Sequence, residues 1–133
     1  MKIVIDTNVI ISAVFFGGQP RRLIEHLFKD DFSAYASPEI IIEYAETYNE
    51  VHKKYSERGN SAVLQKIVEK LNVIVPERKI SVCRDPDDDK FISCAIEGKC
   101  LYIVSGDNDL LSLGKIKNIK VVTISEFLKL LEC

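Results

Sequence analysis

The chain has 133 residues, 47% of them hydrophobic and 29% charged, which suits one domain with a real core (residues 1–133) and excludes a disordered polyelectrolyte. Its net charge of −2 means that a polyanionic partner must be met by local rather than overall charge. No apolar run reaches the roughly 18–20 residues of a membrane span, and Asp6 comes too early for a signal peptide, so the expectation is a soluble, cytoplasmic protein.

Ile3-Val4-Ile5 is a short β-branched run and reads as a buried strand. Val9-Ile10-Ile11 predicts a short helix that ends before Gly17-Gly18, and Pro20 suits the first turn of the next, with Leu23, Ile24, Leu27 and Phe28 as its apolar stripe. Residues 32–36 predict a second strand. Ser37-Pro38-Glu39 joins an N-cap, an N1 proline and a first-turn acid, so a helix starts there. Its spacing carries it to about Tyr55, with Ile41, Ala45, Tyr48 and Val51 as the apolar seam. Tyr44, Tyr48, Val51 and Tyr55 can be read as core or as a dimer interface.

Gly59-Asn60 breaks the chain before a helix over roughly 61–72, and Val73-Ile74-Val75 is strand-like. Arg84-Asp85-Pro86-Asp87-Asp88-Asp89 is a turn that opens a helix to about Glu97, closed near Gly98. Leu101–Val104 is a further buried strand. Ser105–Asp109 turns into a short helix, Ile119–Val122 is the last strand, and Ser125-Glu126-Phe127 begins the terminal helix. Strands alternating with helices imply βα units, a parallel sheet of about five strands and helices on both faces, a three-layer α/β/α Rossmann-like domain. Right-handed crossovers bring the strand C-termini to one edge, where such folds bind ligands.

Acids collect at that edge. Asp6 directly follows the first strand, and Asp107 follows the fourth after a two-residue turn. Asp87-Asp88-Asp89 opens the helix leading into that fourth strand; one or two of these could be caps, but three in a row exceed what capping needs. Two like charges about 4 Å apart repel by roughly 4 kcal/mol at an effective dielectric of 20. A gathered set therefore calls for a cation or for protonation. All-oxygen donors suit Mg²⁺ or Mn²⁺, as one ion with acids holding its waters or as two ions set for in-line phosphodiester cleavage. Without the eight acids of this region (Asp6, Glu43, Asp85, Asp87, Asp88, Asp89, Asp107 and Asp109), 12 acids face 18 Lys and Arg. The rest of the chain is thus net basic, compatible with a polyanionic substrate.

Other chemistries fit less well. The four cysteines form no CxxC pair, and His26 and His52 are remote from them in sequence, which disfavours zinc. There is no Walker A sequence and no GxGxxG, and Gly17-Gly18 reads as a plain turn.

Four segments together resemble the PIN-domain family: Ile5-Asp6-Thr7-Asn8; Ser37-Pro38-Glu39-Ile40-Ile41-Ile42-Glu43; Asp85-Pro86-Asp87-Asp88-Asp89-Lys90-Phe91; and Val104-Ser105-Gly106-Asp107-Asn108-Asp109-Leu110. They occur in family order over nearly the whole chain, and the nearest likeness is to the toxin group of toxin–antitoxin systems. The resemblance implies an Mg²⁺- or Mn²⁺-dependent endoribonuclease using metal-activated water, often a homodimer, with RNA as substrate and an antitoxin protein as partner. It implies Asp6, Glu43, Asp89 and Asp107 as the acidic quartet, with metal on Asp6, Asp89, Asp107 and the additional acid Asp109. Asn8 and Ser105 match polar supporting positions, and Asp88 is the nearest substitute for Asp89. For Glu43 the resemblance opposes periodicity, which sets it on the solvent face with Glu39, Glu46 and Glu50. Two alternatives remain in view: a catalytically silent PIN-like module that binds RNA or protein, and a haloacid-dehalogenase-type phosphohydrolase. The latter wants DxD, where this chain has Asn8 in place of the second Asp.

Overall fold

A computed structural model describes residues 1–78 and 80–133. The strands are β1 (Lys2–Ile5), β2 (Ser33–Ala36), β3 (Asn72–Val73), β4 (Tyr102–Val104), β5 (Lys115–Ile116) and β6 (Ile119–Val122). The helices are α1 (Thr7–Phe15), α2 (Gly18–Phe28), α3 (Pro38–Lys54), α4 (Ser61–Lys70), α5 (Asp89–Glu97), α6 (Asn108–Leu111) and α7 (Ile124–Glu132). A single 3-10 turn, Pro86–Asp88, leads into α5.

The sheet runs β3-β2-β1-β4-β6-β5. Every pairing is parallel except β5 with β6. The mixed α/β architecture expected from the alternation is therefore present, with one antiparallel edge strand more than expected. β5 is two residues, Lys-Ile, too short to carry a pattern. Ile3, Val4 and Ile5 are all fully buried, as are Ile103 and Val104. Since neighbouring strand residues point to opposite faces, helices must cover both sides of the sheet. No helix among the described residues is long and apolar enough to cross a membrane.

Helix ends follow local chemistry. The Ser37 hydroxyl accepts from the Ile40 amide at 3.3 Å with Pro38 at N1. Asn60 caps α4 through the Ala62 amide, so the residue that seemed only to break the chain starts the next helix. Thr123 and Glu126 form a reciprocal capping box that starts α7 one residue earlier than expected. Gly17 and Gly18 stand at φ of +82° and +69°, which lets α1 reverse directly into α2.

The buried seam of α3 differs from the expected one. It consists of Ile40, Tyr44 and Tyr48, while Ala45 is exposed. Tyr44 is fully buried, and its hydroxyl donates to the Ile5 carbonyl at 2.5 Å. A buried tyrosine keeps its place in a core when its hydroxyl finds an acceptor, and this one ties α3 to the last residue of β1. Tyr44 and Tyr48 are core, and of the expected aromatic stripe Tyr55 is exposed. With the seam rotated, Glu43 flanks it and is half-buried. Tyr44→Phe should cost about 1–2 kcal/mol in urea unfolding with an unchanged circular dichroism spectrum. An unaltered midpoint would show that the bond to Ile5 does not fix α3.

Candidate metal-binding active site

Asp6 directly follows β1 and is the N-cap of α1, yet its side chain makes no capping bond. The carboxylate, 5% exposed, instead accepts from the Ser105 hydroxyl at 2.8 Å. Ser105 is fully buried and follows β4. Its oxygen also accepts from the Asp107 amide at 2.9 Å. One hydroxyl therefore couples the acid after β1 to the loop carrying the acid after β4, which pair in register through Ile5 and Val104. Burial raises the Asp6 pKa; the Ser105 hydroxyl and Thr7 amide oppose that rise, and the Asp107 and Glu43 charges add to it.

The Asp107 carboxylate caps α6 by accepting from the Asp109 amide at 3.1 Å. Asp109 is half-buried, with Arg84 about 4.0 Å from its Oδ1. Asn8 is exposed; with Ser12, Gly106 and Asp107 it lines a hollow of about 260 Å³ at this edge. A larger hollow, about 440 Å³, is lined by Ser37, Val75, Ile80, Asp89 and Lys90 among others, and holds none of Asp6, Glu43, Asp88 and Asp107.

The three consecutive aspartates separate. Asp87 is exposed. Asp89, expected at the site, accepts from the Cys83 and Val82 amides at 2.7 and 3.0 Å. Burial alone would raise its pKa, but those two amides hold it below the usual carboxylate value. Its work in the structure is to pin the incoming loop. Asp88 takes the place near Asp6 and Asp107 instead. It makes no capping bond, and its Oδ2 is buried without a hydrogen-bond partner. Burial, then the charge of Asp107 and a side-chain hydrogen bond with it, then the charges of Asp85 and Asp6, push its pKa up to about 7. The exchange of Asp89 for Asp88 follows from the turn at Pro86. Residues 86–88 are 3-10 and residues from 89 on are α. The angular step per residue changes at that junction, and with it which carboxylate faces the sheet edge.

Glu43 reaches the same edge from α3. One of its oxygens accepts from the Thr7 hydroxyl, and the other lies 2.6 Å from the Lys90 ammonium. Thr7 and Lys90 both stand in the quoted motifs, but nothing in their spacing assigned them a partner. Among the functional side chains gathered here, they are the two that sequence reasoning passed over.

The donor set fits a hard divalent cation. Asp6, Asp88 and Asp107 supply only oxygen, burial and then their neighbours' charges raise the pKa values of Asp6 and Asp88, and one buried Asp88 carboxyl oxygen is unpartnered. Among the described residues no three His, Cys, Asp or Glu side chains stand, as placed, in a group that could hold a metal ion.

The PIN domain family model matches residues 2–109. This chain belongs to the PIN-domain family. The match takes in all four carboxylates of the cluster. The chain is also 38% identical to the uncharacterized protein MJ1680 of Methanocaldococcus jannaschii, across 97% of this chain and 90% of that protein. Among solved structures, VapBC2 from Rickettsia felis, crystallised bound to a DNA fragment from its promoter, superposes with a TM-score of 0.64 at 16% identity. That match covers 92% of this chain and 98% of the other. At that identity the likeness speaks for the fold. PIN domains are generally nucleases that use divalent metal ions.

The geometry separates two neighbouring residues experimentally. Asp88→Asn should weaken Mn²⁺ binding by about tenfold or more with little change in stability. Asp89→Asn should instead lower stability by about 1–2 kcal/mol through the loss of charge-assisted bonds to residues 82 and 83. Calorimetric titration and thermal unfolding of the pair distinguish them, and the reverse assignment would show that Asp89 faces the ion.

Proposed function

We propose that this PIN domain is an Mg²⁺- or Mn²⁺-dependent endoribonuclease with Asp6, Glu43, Asp88 and Asp107 as its acidic quartet. The observation that carries the reading is the Ser105 bridge. A fully buried hydroxyl holds Asp6 against Asp107's loop, beside an Asp88 oxygen that has no protein partner.

A divalent ion bound there supplies Lewis acidity, lowering the pKa of water and offsetting charge on a phosphodiester. Asp6, Asp88 and Asp107 would hold it, directly or through its waters. The chain's own groups do the positioning. Ser105 fixes the Asp6 carboxylate and the start of the α6 turn at once. Thr7 and Lys90 hold Glu43 toward the same edge, where its carboxylate orients the attacking water. Asn8 borders the hollow at Asp107 and meets the substrate side of the site, and Asp109, whose amide the Asp107 carboxylate accepts from, stands beside it. Asp89 supports the arrangement by holding residues 82–83.

The same reading takes residues 1–133 as one catalytic domain, working in the cytoplasm as a homodimer on RNA, with an antitoxin protein as its partner. Family membership and the structural likeness to VapBC2 support this extension. The catalytically silent alternative predicts that none of the acids matters to RNA turnover. Asp6→Asn should reduce cleavage of single-stranded RNA in Mn²⁺ by about 100-fold or more while leaving thermal stability near that of the wild type. Excess EDTA should abolish wild-type cleavage. Full activity in EDTA, or an active Asp6→Asn protein, would contradict the mechanism.

A further inference from the structure

Lys90 is the basic residue inside the acid cluster. Its side chain is only 10% exposed. The ammonium lies 2.6 Å from Glu43 Oε1, donates to the Asp87 carbonyl at 2.7 Å and sits 5.5 Å from the centre of the Phe91 ring. Glu43's other oxygen accepts from Thr7. Both oxygens of Glu43 are thus already engaged. Asp6, Asp88 and Asp107 differ sharply: among the described residues no Lys, Arg or His forms an ion pair with any of them. The cluster therefore divides into one carboxylate with its own cation and three without.

A withdrawn ion pair persists only when its geometry is good and its remaining hydrogen-bonding groups are satisfied. Lys90 meets both conditions through Glu43, Asp87 and Phe91. Displacing it so that a second divalent ion could reach Glu43 would leave a nearly buried ammonium without a partner. A free carboxylate at that position would favour a second ion, as in sites that hold two.

We propose that Lys90 is a built-in cation which occupies Glu43, so that this chain binds a single divalent ion, on Asp6, Asp88 and Asp107, with Glu43 kept outside its coordination. The inference rests on the metal-dependent reading above. Lys90 acts through Glu43 and is a positioning residue.

Mn²⁺ titration followed by electron paramagnetic resonance counts the ions without reference to cleavage. The wild type and Lys90→Arg should bind one Mn²⁺ per chain. Lys90→Met frees Glu43 and should bind a second. The charge-neutral double variant Lys90→Met/Glu43→Gln should return to one, with an affinity within about threefold of the wild type, whereas lost supporting contacts commonly cost 10–100-fold. A merely structural role for Lys90 would not be reversed by Glu43→Gln. Should Lys90→Met fail to fold, as judged by circular dichroism, the double variant carries the test, since it leaves no unpaired charge. Two ions on the wild type, a single ion on folded Lys90→Met, or a tenfold or greater loss in the double variant overturns the proposal. A wild type that binds no Mn²⁺ overturns the metal-dependent reading itself, whereas an Asp88→Asn protein that binds it normally overturns the placing of the ion on Asp6, Asp88 and Asp107.

Discussion

The Ser105 hydroxyl holds together two acids that electrostatics drives apart. It donates to Asp6 and accepts from the Asp107 amide while fully buried. Carboxylates about 4 Å apart repel by roughly 4 kcal/mol at an effective dielectric of 20, so a cluster of this kind forms only where the backbone leaves it no alternative. Here the constraint is the parallel pairing of β1 with β4, which sets Ile5 opposite Val104 and delivers the next residues of both strands to one edge. Ser105 then fixes the separation that the pairing allows. Burial first, with the neighbouring carboxylate charges adding to it, raises the pKa values of Asp6 and Asp88, and a divalent cation would offset those charges.

The rest of the fold serves this edge. Tyr44 ties α3 to the carbonyl of Ile5, immediately before Asp6, so the helix that carries Glu43 is registered on the strand that carries Asp6. Asp89 ties the start of α5 to residues 82 and 83, which aims Asp88. In both cases the residue next to the site residue in sequence does the anchoring. Two adjacent positions divide the labour, one tied to the scaffold and one turned to the acid cluster.

This division explains what could be read in advance. Asp6 and Asp107 were legible because strand termini in a parallel α/β sheet share an edge, and neither assignment needs side-chain detail. Helix starts were legible at Ser37 through local capping chemistry. Glu43 was obscured because Ala45 counts as apolar in any periodicity, although it is exposed, whereas Tyr44 is buried by a bond to a residue 39 positions away. No local pattern encodes that bond. The choice between Asp88 and Asp89 depends on where a 3-10 turn becomes an α-helix, a boundary that three consecutive aspartates do nothing to mark. Thr7 and Lys90 acquire meaning only once Glu43 is brought between them from another element.

The central claim is that the cation site is made by Asp6, Asp88 and Asp107 at the C-terminal edge of β1 and β4. A crystal structure with Mn²⁺, phased on its anomalous signal, tests it most directly. The account predicts a peak bounded by these three carboxylates, with Asp89 still on the amides of residues 82 and 83 and Lys90 still on Glu43. A peak coordinated by Asp89, or none at this edge at saturating Mn²⁺, would contradict it.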